Sequence, residues 1–139
     1  MKHELTLRVY YEETDMAGIV YYANYLKFIE RGRTDFVRAL GVDQTTMKEG
    51  QGLVFAVKSL TADYISPAKF DDILRVETTV TGLSAARMVM SQQVFRDDTL
   101  LFDSSVTVIS MTLAGKPVRL PADIRRNLDE MQGRVVKST

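Results

Sequence analysis

Leu5, Leu7 and Val9 alternate with Thr6, Arg8 and Tyr10, which is the period of a half-buried strand over Leu5–Tyr11. The period then changes. From Asn24 to Leu40 the apolar residues Tyr25, Phe28, Ile29, Phe36, Val37 and Leu40 recur at helical spacing, with Lys27, Glu30, Arg31, Thr34, Asp35 and Arg38 on the other face. Gly41 follows as a C′ residue suited to the left-handed conformation. Gly32 falls inside the apolar stripe, where it costs ~1 kcal/mol against Ala, so its use is close approach to a facing sheet.

After a polar stretch with room for one helical turn around Gln44–Lys48, the pattern predicts four more strands: Leu53–Ile65, Ile73–Thr81, Arg87–Arg96 and Leu100–Thr112. Turn chemistry at Pro67-Ala68-Lys69, Gly82-Leu83-Ser84 and Asp97-Asp98 separates them. A last helix is expected from near Pro121, with Ile124 and Leu128 on one side, and the segment from Gly133 reads as a loose tail. Strand, long helix and then strands joined by short turns spell an α+β fold, a five-stranded antiparallel sheet wrapped on one long helix. One domain over 1–132 and a flexible tail over 133–139 account for the chain. One helix cannot cover such a sheet, so oligomerisation is expected.

Composition removes several chemistries. Eighteen Lys and Arg balance eighteen Asp and Glu, so no net field favours nucleic acid or an anionic membrane. The N-terminus lacks an apolar core behind its charges, and no window approaches the ~18 apolar residues of a membrane span, which points to an unexported cytoplasmic protein. With no cysteine, disulfides, thiolate nucleophiles and cysteine-held metals are excluded. The single histidine, His3, reads as a solvated terminal residue, which leaves Ser-His-Asp catalysis and histidine metal sites without support. Neither phosphate-cradling glycine motif is present. Carboxylates remain: Asp71-Asp72 and Asp97-Asp98 fall at turns, whereas Glu12, Glu13 and Asp15 lie between the first strand and the helix.

That connection reads Tyr11-Glu12-Glu13-Thr14-Asp15-Met16-Ala17-Gly18-Ile19-Val20-Tyr21-Tyr22-Ala23-Asn24-Tyr25. It resembles the signature of the hotdog-fold thioesterases of the 4-hydroxybenzoyl-CoA type, and within them most resembles the bacterial acyl-CoA thioesterases associated with the Tol–Pal system. Asp15, Gly18, Ile19, Val20, Tyr21, Tyr22, Asn24 and Tyr25 carry the match, with further likeness at Tyr64–Asp72 and Val118–Pro121. Many Tol–Pal-associated members carry histidine where this chain has Tyr22; the hydroxybenzoyl-CoA enzymes have tyrosine there.

The resemblance implies hydrolysis of an acyl-CoA or acyl-carrier-protein thioester without metal or cofactor. It implies that Asp15 either attacks the carbonyl to form a mixed anhydride or activates water, that the Tyr22 N–H receives the oxyanion, and that Gly18 shapes the turn beside them. The chemistry agrees, because a thiolate leaves without the strong general acid an amide demands. The phosphates of coenzyme A call for a basic rim, for which Arg87, Lys116, Arg119 and Arg125 are candidates, Arg87 foremost. Met88, Met90, Met111 and Phe55 suit either an acyl tunnel or, more simply, the core. The resemblance further implies a site at a dimer interface and a homotetramer built from dimers. Two rival readings are a non-catalytic acyl-CoA or acyl-carrier-protein binding or scaffold protein, and a hydratase, the latter disfavoured without a histidine near Asp15.

Overall fold

The computed structural model describes all 139 residues. Strands β1 (Lys2–Arg8), β2 (Leu53–Tyr64), β3 (Ile73–Leu83), β4 (Arg87–Arg96), β5 (Thr99–Thr112) and β6 (Val135–Ser138) form one sheet in the order β2-β5-β4-β3-β1-β6. Helix α1 (Asn24–Ala39) lies on its concave face, joined by the shorter α2 (Gln44–Gln51) and α3 (Ala122–Glu130). The first five strands pair antiparallel around α1, which is the hotdog arrangement. Register shifts at Val57/Ser59, Val80/Gly82 and Val94/Phe95 supply the bends that let the sheet curl.

Helix α1 buries the residues that its periodicity selects: Tyr25, Phe28, Ile29, Gly32, Phe36 and Val37. Phe28 and Ile29 pack with Leu74, Val76, Val94, Leu101 and Phe102 in one half of the core. Phe36, Val37 and Leu40 pack with Met88, Met90, Leu120 and Ile124 in the other. Met88 and Met90 are thus core residues. Gly32 sits where the helix backbone meets the sheet: a Cβ there would stand 2.8 Å from Val76 Cγ1 and 3.2 Å from Thr78 Oγ1. The close approach lets buried Gln92 donate to the Ile29 carbonyl at 2.8 Å and to Thr78 Oγ1 at 3.0 Å, while its oxygen accepts from Arg33 at 3.0 Å. Gly41, at φ 81°, ends the helix as its position predicts.

Several expectations are corrected. The sheet has six strands rather than five and is mixed, because β6 pairs parallel to β1. The segment expected as a loose tail is therefore an edge strand over Val135–Ser138. Beside the long helix stand the expected last helix, α3, and α2, which is a full two turns rather than one, capped by the Asp43 carboxylate on the Thr45 and Thr46 N–H groups. Strand β1 begins at Lys2, three residues earlier than the apolar alternation, and it ends at Arg8. His3 is consequently buried, at 1% exposure, on the inward side of β1. Its Nε2 lies 3.1 Å from Ser138 Oγ, which donates to Asp35 Oδ2 at 3.0 Å. A polar ring could occupy an inward position because β6 delivers a hydroxyl to it, which is information from the far end of the chain.

Two consequences are measurable. Gly32→Val should force α1 off the sheet and lower unfolding stability by about 1–3 kcal/mol, as overpacking does, read from denaturant midpoints at unchanged slope. Burial holds the His3 imidazole below its ordinary pKa, against the raising effects of Asp35 and Glu4. The unfolded chain then binds a proton near ~6.5 that the folded chain refuses. His3 therefore contributes stability that is full above that value and lost as pH falls through the lower folded value. A stability–pH curve from 8 to 5 should fall more steeply for the parent than for His3→Gln.

Candidate active site

The 3₁₀ turn Tyr11–Glu13 ends β1's extension and starts the connection to α1. Thr14 and Val20 then face each other across a narrow loop, bridged antiparallel, with Asp15 at its shoulder. The Asp15 N–H donates to the Ile19 carbonyl at 3.0 Å, and its own carbonyl accepts from the Gly18 N–H at 3.0 Å. Gly18 takes φ 77°, a conformation that a side chain would strain, so the glycine is required by the backbone rather than by crowding. Asp15 Oδ1 accepts from the Ala17 N–H at 2.9 Å, while Oδ2 has no partner within the chain. The carboxylate is exposed and oriented, with one oxygen free.

The start of α1 supplies the complementary charge. Ala23 precedes the helix in helical conformation with no side-chain cap. Tyr21 and Tyr22 carbonyls accept from Asn24 and Tyr25 N–H at 2.9 and 3.4 Å, whereas the N–H groups of Tyr22 and Ala23 donate to nothing in the chain. Because a trans peptide is planar, fixing the Tyr21 carbonyl against Asn24 turns the Tyr22 N–H outward on the opposite side. Tyr64 Oη donates to the Tyr22 carbonyl at 3.1 Å and fixes the next plane, that of the Ala23 N–H, in the same way. Two unpaired donors thus stand at the positive end of a 16-residue helix. Such donors receive a developing oxyanion.

A cavity of about 270 Å³ opens beside them, lined by Ile19, Val20, Tyr22, Tyr25, Tyr64 and Ile65 among others. Its aromatic wall is held in place: Tyr64 packs edge-on against Tyr22 and Tyr25, with ring centroids 6.1 and 5.5 Å apart, and Tyr25 Oη accepts from the Ala68 N–H at 2.9 Å. Burial raises the Tyr25 phenol above its ordinary pKa, so it stays neutral. The Tyr21 phenol is also raised, first by hydrogen bonding to and the charge of the Tyr22 phenol, then by burial and by Asp15.

Asp15 and Gly18 thus share one loop, whose base at Glu13 hydrogen-bonds to Tyr21, the residue before Tyr22. Arg87 stands apart. It opens β4 opposite Ile109, which pairs with Ala56, eight residues along β2 from Tyr64. At ~3.3 Å per residue this places it ~26 Å from the Asp15 end of the same chain. Arg119, Lys116 and Arg125 share that far end, where the segment 116–120 hydrogen-bonds to Ala85, Ser110 and Thr112, and Arg125 donates to the Ser84 carbonyl. Near Asp15 the exposed cation is instead Lys69, bridged to Ile19, since Arg8 pairs with Asp71 and Arg96 with Asp72 at 2.8 Å each. Phe55 and Met90 line a separate cavity of about 230 Å³ between α1 and β2. Sequence reasoning passed over Tyr64, the Ala23 N–H and Lys69. Nothing local marks the two side chains, since both approach the site from the strand-turn-strand passage.

Residues 9–128 match the model of the thioesterase-like superfamily. The chain is 42% identical over 120 residues to the acyl-CoA thioesterase YbgC of Haemophilus influenzae, covering 86% of this chain and 88% of that one. It is 36% identical to the acyl-CoA thioester hydrolase YbgC of Escherichia coli O157:H7, over 85% of this chain and 89% of that one. Among solved structures, a probable thioesterase from Bartonella henselae superposes with a TM-score of 0.83 at 35% identity, covering 87% of this chain and all (100%) of the other. A 4-hydroxybenzoyl-CoA thioesterase variant bound to 4-hydroxybenzoyl-CoA shares the fold, with a TM-score of 0.86 at 20% identity, over 91% of this chain and 97% of the other.

Proposed function

Because the chain belongs to the thioesterase-like superfamily, we propose that it is an acyl-CoA thioester hydrolase in which Asp15 supplies the reacting carboxylate and the Tyr22 and Ala23 N–H groups receive the oxyanion. The observation that carries the reading is the pairing of a free carboxylate oxygen with two unpaired helix-start donors beside an apolar cavity. In one route Asp15 takes a proton from water, and the hydroxide oxygen bonds to the thioester carbon. In the other, Asp15 Oδ2 bonds to that carbon directly and water later cleaves the mixed anhydride. In both, the carbonyl oxygen becomes an oxyanion against the helix start, the C–S bond breaks, and the thiolate takes up a proton. No imidazole is needed, since the leaving group is stable as an anion. The reading includes a cytoplasmic location, in keeping with a chain that has no cysteine; no helix is long and apolar enough to cross a membrane.

Strand β2 has a free edge, with Val57, Leu60 and Tyr64 exposed along it. Two copies pairing these edges antiparallel about a two-fold axis set the Leu53 end of one strand against the Tyr64 end of the other. That arrangement carries the Arg87 end of each copy toward the Asp15 end of its mate, and so accounts for the ~26 Å separation within one chain. A homodimer with two composite sites follows, and the pairing of two dimers through remaining apolar surface gives the homotetramer. Arg87 then serves the phosphates of coenzyme A from across the interface.

Thiol release from a panel of short, long and aromatic acyl-CoAs tests the activity. Asp15→Asn should lower kcat by about 10²–10⁴-fold, whereas Tyr22→Phe, which keeps the N–H, should stay within a few-fold of the parent. Saturable acyl-CoA binding without turnover by the parent would replace the hydrolase with a binding protein. For the composite site, Arg87→Ala should raise KM by about tenfold or more, the scale of one charged hydrogen bond. Co-refolding it with Asp15→Asn should then restore a class of sites with the parental KM. A mixture that keeps only the raised KM would place both residues' contributions within one chain.

A further inference from the structure

Glu13 is buried, at 8% exposure, between β1 and α1, and four groups from three segments converge on it. Its Oε1 accepts from the Tyr10 N–H at 2.7 Å, where the chain leaves β1. Its Oε2 stands 3.6 Å from Arg31 on the third turn of α1. Its carbonyl accepts from the Tyr21 N–H at 2.9 Å and from Asn24 Nδ2 at 2.9 Å. Residues 14–20, which carry Asp15, therefore leave from Glu13 and close back on its carbonyl through Tyr21, with a second attachment where the Val20 N–H donates to the Ala68 carbonyl at 2.8 Å and Ile19 bridges Lys69. The Tyr21 bond closes this loop at its base; the Asn24 bond attaches the base to the first residue of α1. The Arg31 pair then fixes the same residue to the helix two turns further on.

We propose that Glu13 is a positioning residue for the reaction: it registers the Asp15 loop against the helix-start donors without touching the substrate. This rests on the hydrolase reading above. A carboxylate on a loop and donors on a helix reach one carbonyl only if the loop is held to the helix, and a displacement near 1 Å is worth about 10²-fold in rate. Glu13 meets that requirement with two parts: its carboxylate, held by the Tyr10 N–H and Arg31, fixes the residue, and its carbonyl, held by Tyr21 and Asn24, ties the base of the loop to the helix start. A merely surface pair such as Arg38–Asp35, also on α1, does not.

The test has two independent arms. In thiol release with butyryl-CoA and benzoyl-CoA, Glu13→Ala should lower kcat tenfold or more with KM within about twofold, and Glu13→Asp, which keeps the charge, should recover most of the loss. Arg31→Met, a milder change on the exposed side of the helix, should lower kcat about threefold, and should add little when combined with Glu13→Ala. Arg38→Met should leave kcat unchanged. In hydrogen exchange read by mass spectrometry, Glu13→Ala and Arg31→Met should each speed exchange over residues 14–22 severalfold while leaving α1 protected. Unchanged exchange in that segment overturns the proposal whatever the activity. A raised KM at parental kcat also overturns it, since that is a binding role. If the parent releases no thiol, the hydrolase reading fails, and exchange alone decides whether Glu13 holds the loop.

Discussion

The depth at which α1 seats in the sheet governs everything built at its start. Gly32 sets that depth, because the helix backbone there lies within a missing methyl group's distance of Val76. With the helix so low, Gln92 reaches up from β4 to the Ile29 carbonyl, and a side-chain amide joins the middle of the helix to the middle of the sheet. The helix then points its first turn at the Tyr64–Ala68 passage, where the Tyr64 hydroxyl fixes the Tyr22 carbonyl and Tyr25 accepts from the Ala68 N–H. A helix raised by a side chain at position 32 would carry its start away from both.

The site that results is made largely of main chain. One carboxylate is contributed by a side chain; the unpaired donors at the helix start, the turn that aims the carboxylate and the loop closure are all backbone. In the proposed hydrolase, such a site needs no imidazole, and the sole histidine is instead buried against β6. The site also places the demands on the sequence in unusual residues: glycine at 18 for its positive φ, a small residue at 23 before an uncapped helix, and tyrosine at 64 for a hydroxyl that reaches a carbonyl. Helix polarity is usually quenched by a capping side chain. Here the Ala23 position leaves it available.

How legible this was in the sequence depended on how local each cause is. The α1 stripe, the strands β2 to β5, the close approach at Gly32 and the turn at Gly18 follow from spacing or from a single residue's conformational limits, and each was readable. The β1 start was not, because Lys2, His3 and Glu4 look like a solvated terminus until β6 is laid beside them. Arg87 was singled out for its charge, but charge says nothing about which end of a strand a residue occupies. Glu13 shared the motif with Asp15 and differs from it only in direction. One carboxylate turns in to meet Tyr10 and Arg31, and the other turns out to solvent.

Strand β6 has a consequence for growth of the sheet. It is four residues long, ends in alternation with Lys137, and occupies the edge beside β1. Short, charged edges resist pairing with further strands. With that side closed, the twelve-residue β2 is the one long edge a second copy can extend. Edge pairing through one side only must stop at two copies, whereas a sheet open on both sides could add chains without limit. In the proposed dimer, β6 would thereby separate a finite particle from a fibre.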